Sequence, residues 1–320
     1  MPELSSLESV TPALSLGLRN FSAEDPGSWE PLLARARAAD SAGVDRLVVS
    51  DHVVFGEDLE AYGRPEVGGS AGGRQPTGPD GHWLEPLTLL SVISGMTNRV
   101  RLQTGILIAA LRRPIVLAKS TATLDVLSGG RLDLGVGVGW QREEYEAAGL
   151  PFEGRGTLLD RTLEVCQLVW RELDASYDAD GLRFEHIHAM PKPAQPGGVP
   201  LWVSGTLNRR VIERVARFGA GWIPWGPDAA DPTAGLAVLH EALDAAGRGS
   251  VRLQVPGTLP VVKDDDGVVD LDRTMAGVPP LVAAGITDFR ANISIPVDEA
   301  AAEDRLAEVV SAFRAVVGRR

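Results

Sequence analysis

The feature that most constrains the fold is an alternation of short apolar runs with longer amphipathic segments along the whole chain. Such an alternation is typical of the α/β class, in which helices cover a parallel sheet and bury its strands on both faces. The apolar runs predict strands at 13–19, 45–50, 101–108, 132–138, 200–204, 221–224, 252–256 and 287–293. The amphipathic segments predict helices near 28–42, 85–97, 115–128, 158–173, 207–217, 235–246, 272–284 and 299–317. Eight strand and helix pairs predict a closed (β/α)8 TIM barrel.

Two stretches are too long to be ordinary connections and predict insertions after strand 2 and before strand 5. Residues 56–83 are rich in glycine and lie on the side of the barrel where enzymes of this architecture bind their substrates. This position favours a lid over an active site, with a tolerated surface insertion as the alternative. Residues 174–198 are expected to form a small hairpin. With these insertions, the 320 residues fit one domain spanning 1–320.

The charge and composition argue against several classes of protein. Acidic residues exceed basic ones by 43 to 31, so nucleic acid is not expected as a partner. No apolar run reaches the roughly 18 residues of a membrane span, and the start, MPELSSLESV, lacks the basic segment of a secretory signal. Cys166 is the one cysteine in the sequence, which excludes a disulfide framework. A cytoplasmic protein that does not bind a membrane is expected.

Sequence motifs for metal and nucleotide binding are also missing. The run GVGVGW at 135–140 contains alternating glycines but lacks the third glycine of a dinucleotide-binding turn in register. His186 and His188 could in principle share a metal with His82 or His240. Because these histidines lack the spacing of an assembled ligand set, we expect no metal.

Asp51 and His52 directly follow the second predicted strand and are therefore expected at the catalytic rim of the barrel. An imidazole at this position exchanges protons near neutral pH, and the adjacent carboxylate can bond a ligand or its own loop. The alternative is a strand-end aspartate that caps a turn beside a half-exposed histidine. The dipeptide by itself does not decide between these interpretations.

Two further strand ends carry glycine where a ligand can approach the backbone. Gly105 and Ile106 interrupt the third predicted strand, and a glycine among β-forming residues often marks a bulge or a ligand contact. Gly139 and Trp140 follow the fourth strand, where a small residue beside a large aromatic residue suits the border of a flat ring. For Trp140, core packing is the alternative interpretation.

Ser204 ends the fifth predicted strand, and Gly205 and Thr206 lead from it into the helix that follows. Free backbone N–H groups and hydroxyls at the start of a helix bind phosphate groups, so this turn is a candidate phosphate site. The alternative is an ordinary helix N-cap provided by Thr206 or Asn208. Every helix needs a start, so the turn alone favours this alternative.

With these residues in place, the chain resembles the luciferase-like monooxygenase superfamily, in its F420-dependent oxidoreductase branch. The motifs that carry the resemblance cover about half of the chain, and the central one is highly specific. They are SDHVVFG, RLQTGILIAALRRPIVLAKSTATLDVLSGGRLDLGVGVGW, EEYEAAGLPFEGRG and PLWVSG. The resemblance implies an F420 or FMN ring in the barrel mouth, with Asp51 and His52 beside it. It also implies that dimers are common among the relatives, so a homodimer is possible.

The resemblance assigns roles to the other candidate residues as well. A non-proline cis peptide buttresses the ring in F420-dependent relatives, and the matching bond is Gly105–Ile106. Gly139 and Trp140 match positions that edge the ring. The phosphate-binding turn of the relatives matches Ser204, Gly205 and Thr206.

The function implied is hydride transfer between C5 of F420 and a small organic substrate, with His52 supplying or removing the accompanying proton. Some relatives carry a glutamate in place of Trp140, which argues against their sugar-phosphate substrate here and leaves His52 as the one acid–base candidate. Two other functions stay open. One is an FMNH2-dependent monooxygenase that activates oxygen, and the other is a barrel that binds flavin or F420 without turnover.

Overall fold

The computed structural model describes residues 11–179 and 181–319, and the N-terminal stretch MPELSSLESV, whose lack of a basic segment entered the localisation prediction, lies outside them. Within these ranges the chain forms a parallel ring of eight strands with helices outside, which confirms the predicted barrel. The strands are β1 (Ala13–Gly17), β2 (Arg46–Val49), β3 (Arg101–Thr104), β4 (Leu132–Gly137), β5 (Leu201–Gly205), β6 (Gly219–Pro224), β7 (Pro256–Thr258) and β8 (Asp288–Ala291).

Neighbouring strands pair in the order β6, β5, β4, β3, β2, β1, β8, β7. The ring closes between β6 and the segment before β7, where the Trp222 N–H donates to the Gln254 carbonyl at 2.8 Å. The predicted strand 252–256 is wrong in its bounds, since regular pairing begins at Pro256. The physical reason is that the Val255 N–H donates to the Thr287 hydroxyl at 2.7 Å and not to a backbone carbonyl.

The predicted strand 101–108 is broken at its centre. Residues Leu107–Ile108 pair with β4 alone, whereas β3 pairs with both β2 and β4. The break falls at the peptide bond between Gly105 and Ile106, which is cis, as the resemblance implies. Glycine is also required at Gly135 of β4, because a Cβ there would lie 2.0 Å from the Thr104 carbonyl oxygen.

The described helices follow the predicted pattern with two differences. They are α1 (Glu30–Ala42), α2 (Pro86–Met96), α3 (Pro114–Leu127), α4 (Arg142–Ala147), α5 (Arg155–Arg171), α6 (Arg209–Phe218), α7 (Leu236–Ala245), α8 (Leu271–Ala276), α9 (Val278–Ala283) and α10 (Glu299–Val316). The predicted helix 272–284 is split between α8 and α9 at Gly277, since Pro279 lacks the N–H that a continuous helix needs. The six-residue α4 is too short to give a periodic signal.

The helices bury the outer face of the ring, and α10 packs on α1 to complete the outer layer. Apolar side chains of the strands, such as Leu47, Leu102 and Leu134, are completely buried beneath them. Both predicted insertions contain short strands. At the end of the first insertion, His82–Trp83 pairs with Phe21–Ser22, which lies outside it. In the second, Ala175–Ala179 pairs with Leu182–Ile187. In the described ranges no helix combines the length and apolar character needed to cross a membrane.

Candidate active site at the barrel mouth

A cavity of about 260 Å³ opens at the C-terminal ends of the strands. Strand ends supply its floor, and residues of the 56–83 segment supply part of its wall. Eight of the nine residues singled out from the sequence line it, namely Asp51, His52, Gly105, Ile106, Gly139, Trp140, Ser204 and Gly205. A larger cavity of about 580 Å³ lies at the opposite, N-terminal end of the barrel, away from all of them.

His52 is held by the carboxylate of Glu144, which is distant from it in the sequence. Glu144 Oε1 lies 3.3 Å from His52 Nδ1 and accepts the Val53 N–H at 2.8 Å. The Glu144 side chain is fully buried and that of His52 is 9% exposed. With Nδ1 directed at the carboxylate, Nε2 is the ring nitrogen left for a ligand, and it makes no hydrogen bond within the described residues. Glu144 lies within the quoted motif EEYEAAG, but its partner is 92 positions away, so local pattern did not reveal it.

Aromatic side chains surround the imidazole of His52. The centroids of the rings of Phe55, Trp83 and Trp140 lie 4.5, 4.9 and 5.7 Å from it. Trp83 is itself stacked on Phe21 at a centroid distance of 4.2 Å. These rings shield the histidine from bulk water. A molecule bound in the cavity is therefore the partner with which His52 can exchange a proton.

Asp51 borders the cavity, but protein groups occupy both of its carboxylate oxygens. Oδ2 accepts the Ile108 N–H at 2.8 Å, and the guanidinium of Arg112 binds both oxygens, with Nη2 2.9 Å from Oδ1. Burial raises the pKa of Asp51, and the charge of Arg112 opposes this rise. The contacts show that Asp51 anchors the chain just after the cis peptide. These partners lie after β3 and not in the loop of Asp51 itself, which the sequence offered as one possibility beside a ligand.

Glycines pack closely against the residues around the cis peptide in the cavity floor. A Cβ on Gly137 would lie 2.9 Å from Ile106 Cδ1, so the isoleucine side chain rests directly on this glycine. Gly139 has a positive φ of 68°, and a Cβ there would lie 3.2 Å from Ile108. Larger residues at either position would displace the floor, which explains the glycines at the end of β4.

The predicted phosphate turn is only partly exposed to the cavity. Ser204 and Gly205 line it, but the Thr206 hydroxyl donates to the Trp225 carbonyl at 2.9 Å and lies outside the lining. Asn208 caps α6 by accepting the Val211 N–H at 3.1 Å, so the N-cap interpretation is confirmed for Asn208.

The 56–83 segment lies against the far wall of the cavity. The indole N–H of Trp225 donates to the Gly68 carbonyl at 3.1 Å. The Tyr62 ring meets the rings of Trp140 and Trp225 edge-on, at centroid distances of 5.5 and 6.0 Å. Aromatic contacts therefore join this segment to the strand ends across the mouth.

The histidines of the second insertion lie in its hairpin, away from the cavity. His186 Nδ1 lies 3.0 Å from Asp174, and His188 Nδ1 lies 2.7 Å from the Leu173 carbonyl. In residues 11–179 and 181–319 no three histidine, cysteine or acidic side chains are grouped closely enough to hold a metal ion.

A family model described as luciferase-like monooxygenase matches residues 14–305. The chain belongs to this family. An uncharacterized protein of Mycobacterium tuberculosis is 34% identical over 220 residues, covering 67% of this chain and 74% of the relative. The F420-dependent glucose-6-phosphate dehydrogenase of Kineococcus radiotolerans is 28% identical over 234 residues, covering 71% and 67%. Among solved structures, an F420-dependent secondary alcohol dehydrogenase bound to an F420-acetone adduct shares the fold, with a TM-score of 0.71, 16% identity and coverage of 95% and 99%.

Proposed function

We propose that this chain is an F420-dependent oxidoreductase that acts on a small organic substrate in the barrel mouth. The observation that carries the proposal is a shielded histidine, His52, oriented by a buried carboxylate beside a cavity whose floor contains the cis peptide Gly105–Ile106. Family membership and relatives named as F420-dependent dehydrogenases support the choice of cofactor. When bound, F420 gives or accepts a hydride at C5.

The described residues fit a flat, largely apolar ring. Gly105 and Ile106 would support one face of it, and Gly139 and Trp140 would border its edge. Glycines 137 and 139 leave the floor free of side chains that would otherwise fill it. Ser204 and Gly205 would contact the phosphate-bearing chain, without the Thr206 hydroxyl.

His52 would hold or receive the proton that accompanies hydride transfer, at Nε2. For an alcohol substrate, Nε2 would accept the hydroxyl proton as the alcohol is oxidised to a carbonyl, with F420 as the hydride acceptor, and would return the proton in the reverse direction. Glu144 keeps Nδ1 engaged, so the proton exchange is confined to one nitrogen. The aromatic rings around His52 and the 56–83 segment, which we propose to be a lid, exclude water from the reaction.

Titration of the purified protein with F420 and, separately, with FMN tests the proposal. Selective binding of F420 supports it, and selective binding of FMN with substrate-dependent oxygen uptake supports the family's monooxygenase chemistry in its place. Binding of neither cofactor contradicts both.

A matched pair of glycine variants locates the binding site. Gly137→Ala places a Cβ 2.9 Å from Ile106 Cδ1, and we expect it to weaken F420 binding by about tenfold. Gly95→Ala, in α2 with no atom within 4 Å of the added Cβ, serves as the control and should bind normally. Equal affinity of the two variants would place the cofactor elsewhere.

A further inference from the structure

Arg290 lies inside the barrel without a partner for its charge. Its Nε and Nη2 atoms are enclosed and make no hydrogen bond within the residues that the structure describes. Burial lowers the pKa of its guanidinium, and the like charge of Arg46 lowers it further. By contrast, Arg46, at the start of β2, is bonded to Asp133 and to Asp288. The barrel therefore neutralises the charge of Arg46 and leaves Arg290 without a counter-charge.

The free guanidinium lies directly beside the floor of the active-site cavity. A Cβ on Gly105 would lie 3.7 Å from Arg290 Nη2, and Gly105 lines the cavity. Gly105 follows β3, and Arg290 lies in β8, which is not a neighbour of β3 in the sheet. The two residues therefore approach each other across the interior of the barrel. Gln103 lies two residues before Gly105 on the same face of the chain, and both atoms of its buried amide also lack partners.

Gly17 leaves unfilled space on the side of Arg290 that faces the C-terminal ends of the strands. Arg290 pairs in register with Ser15 of β1 and with Thr258 of β7. Gly17 lies two residues further along β1 on the same face, is exposed, and has no atom within 4 Å of where a Cβ would be. A side chain at Gly17 would extend into this space, which the glycine leaves unfilled.

An enclosed cation without a counter-charge destabilises a folded protein, because desolvation is not offset by an ion pair or hydrogen bond. Such an arrangement persists where a ligand supplies the missing partner. We propose that Arg290, together with the amide of Gln103, binds an anionic oxygen of a ligand in the barrel mouth. This site deepens the proposed function, since it states a chemical requirement for what the cavity accepts.

Two ligand groups carry this chemistry. One is a carboxylate on the substrate, which would make the substrate class an organic acid. The other is the pyrimidine-ring oxygen of the deazaflavin or flavin, which gains negative charge when the ring is reduced. The experiment therefore has one arm for each source.

The first arm uses acetate as the probe and needs no cofactor. We expect acetate at constant ionic strength to raise the melting temperature of the wild-type protein but not that of Arg290→Met or Arg290→Gln. Arg183→Met, which removes an exposed arginine of the hairpin, is the control and should respond as the wild type does. Without acetate, Arg290→Met should melt at the same or a higher temperature than the wild type, because it removes an uncompensated charge.

The second arm compares the dissociation constants of oxidised and dithionite-reduced F420. A preference of the wild type for the reduced form that falls by about tenfold in Arg290→Met assigns the anion to the ring. An unchanged preference with loss of the acetate response assigns it to the substrate. If both responses are the same in wild type and variants, the proposal is overturned. If F420 does not bind at all, the proposed function fails while the acetate arm still decides the role of Arg290.

Discussion

The two ends of the barrel differ in how their buried charged groups are paired. At the N-terminal ends of the strands, Asp133 binds the guanidinium groups of Arg46 and Arg101, with the Arg101 Nε 2.7 Å away. At the C-terminal ends and just below them, two guanidinium nitrogens of Arg290 and one carboxylate oxygen of Glu144 are buried without hydrogen-bond partners in the described residues. Both ends contain buried charge, but near the mouth only part of it, such as the pair of Asp51 and Arg112, is neutralised from within the chain.

This difference separates residues that hold the barrel together from residues prepared for a ligand. Paired charges at the N-terminal end stabilise the closed ring and are not available to bind a ligand. Unpaired groups near the mouth reduce stability and become useful when a ligand supplies their partners. The comparison predicts that variants at the N-terminal end change stability, whereas variants at the mouth change turnover or binding.

The largest effect is expected from His52→Ala. Loss of the acid–base group should lower kcat by about 10²- to 10⁴-fold while the affinity for F420 changes by less than about threefold. Steady-state kinetics and cofactor titration measure the two quantities. His188→Ala, in the exposed hairpin, is the control. Normal turnover in His52→Ala would remove this residue from the mechanism.

The matching variant at the N-terminal end is Asp133→Ala. It leaves Arg101 without its carboxylate partner, and we expect the free energy of unfolding to fall by about 3 kcal/mol. Denaturant titration measures the loss, and kcat of the remaining folded protein should be unchanged. Asp178→Ala breaks an exposed ion pair in the hairpin and should cost less than about 1 kcal/mol. Reduced turnover with normal stability in Asp133→Ala would contradict the assignment of this end to stability.

A smaller effect on turnover is expected from Glu144→Gln. The amide keeps an acceptor for the Val53 N–H but removes the charge beside His52, so kcat should fall by about 10- to 100-fold. Glu144→Asp should recover part of this loss, and Glu146→Gln, exposed on the same helix, should be silent. A purely structural role would instead lower stability without a selective effect on kcat.

The smallest effect is expected from Asp40→Asn. Burial raises the pKa of Asp40, but hydrogen bonds from the N–H groups of Val100, Asn98 and Arg99 outweigh it and hold the pKa below its usual value. A carboxyl with a lowered pKa stabilises the fold above its unfolded pKa, about 3.9, and loses this contribution as the pH falls through the folded value. The variant should lose about 1 kcal/mol at pH 7 and converge with the wild type at low pH. A constant difference in unfolding free energy across this range would contradict the assignment.

Much of the fold and part of the candidate site followed from local pattern. The strand ends at His52 and Gly139 were predicted to meet at the rim, because parallel strands of one barrel end on the same side. The bounds of β7 were missed, because the Thr287 hydroxyl takes the N–H that a regular strand would pair. The cis peptide at Gly105 was implied by resemblance and not by periodicity.

Local pattern in the sequence predicts the barrel and eight of the residues that line its mouth, since apolar periodicity and strand-end position are properties of neighbouring residues. Which charges are paired depends on contacts between residues that are distant in the sequence. Glu144 meets His52 across 92 positions, Asp51 meets Arg112 across 61, and Arg290 meets no acid within the described chain. These outcomes depend on closure of the ring, which brings distant strand ends together at angles and distances that no local pattern encodes.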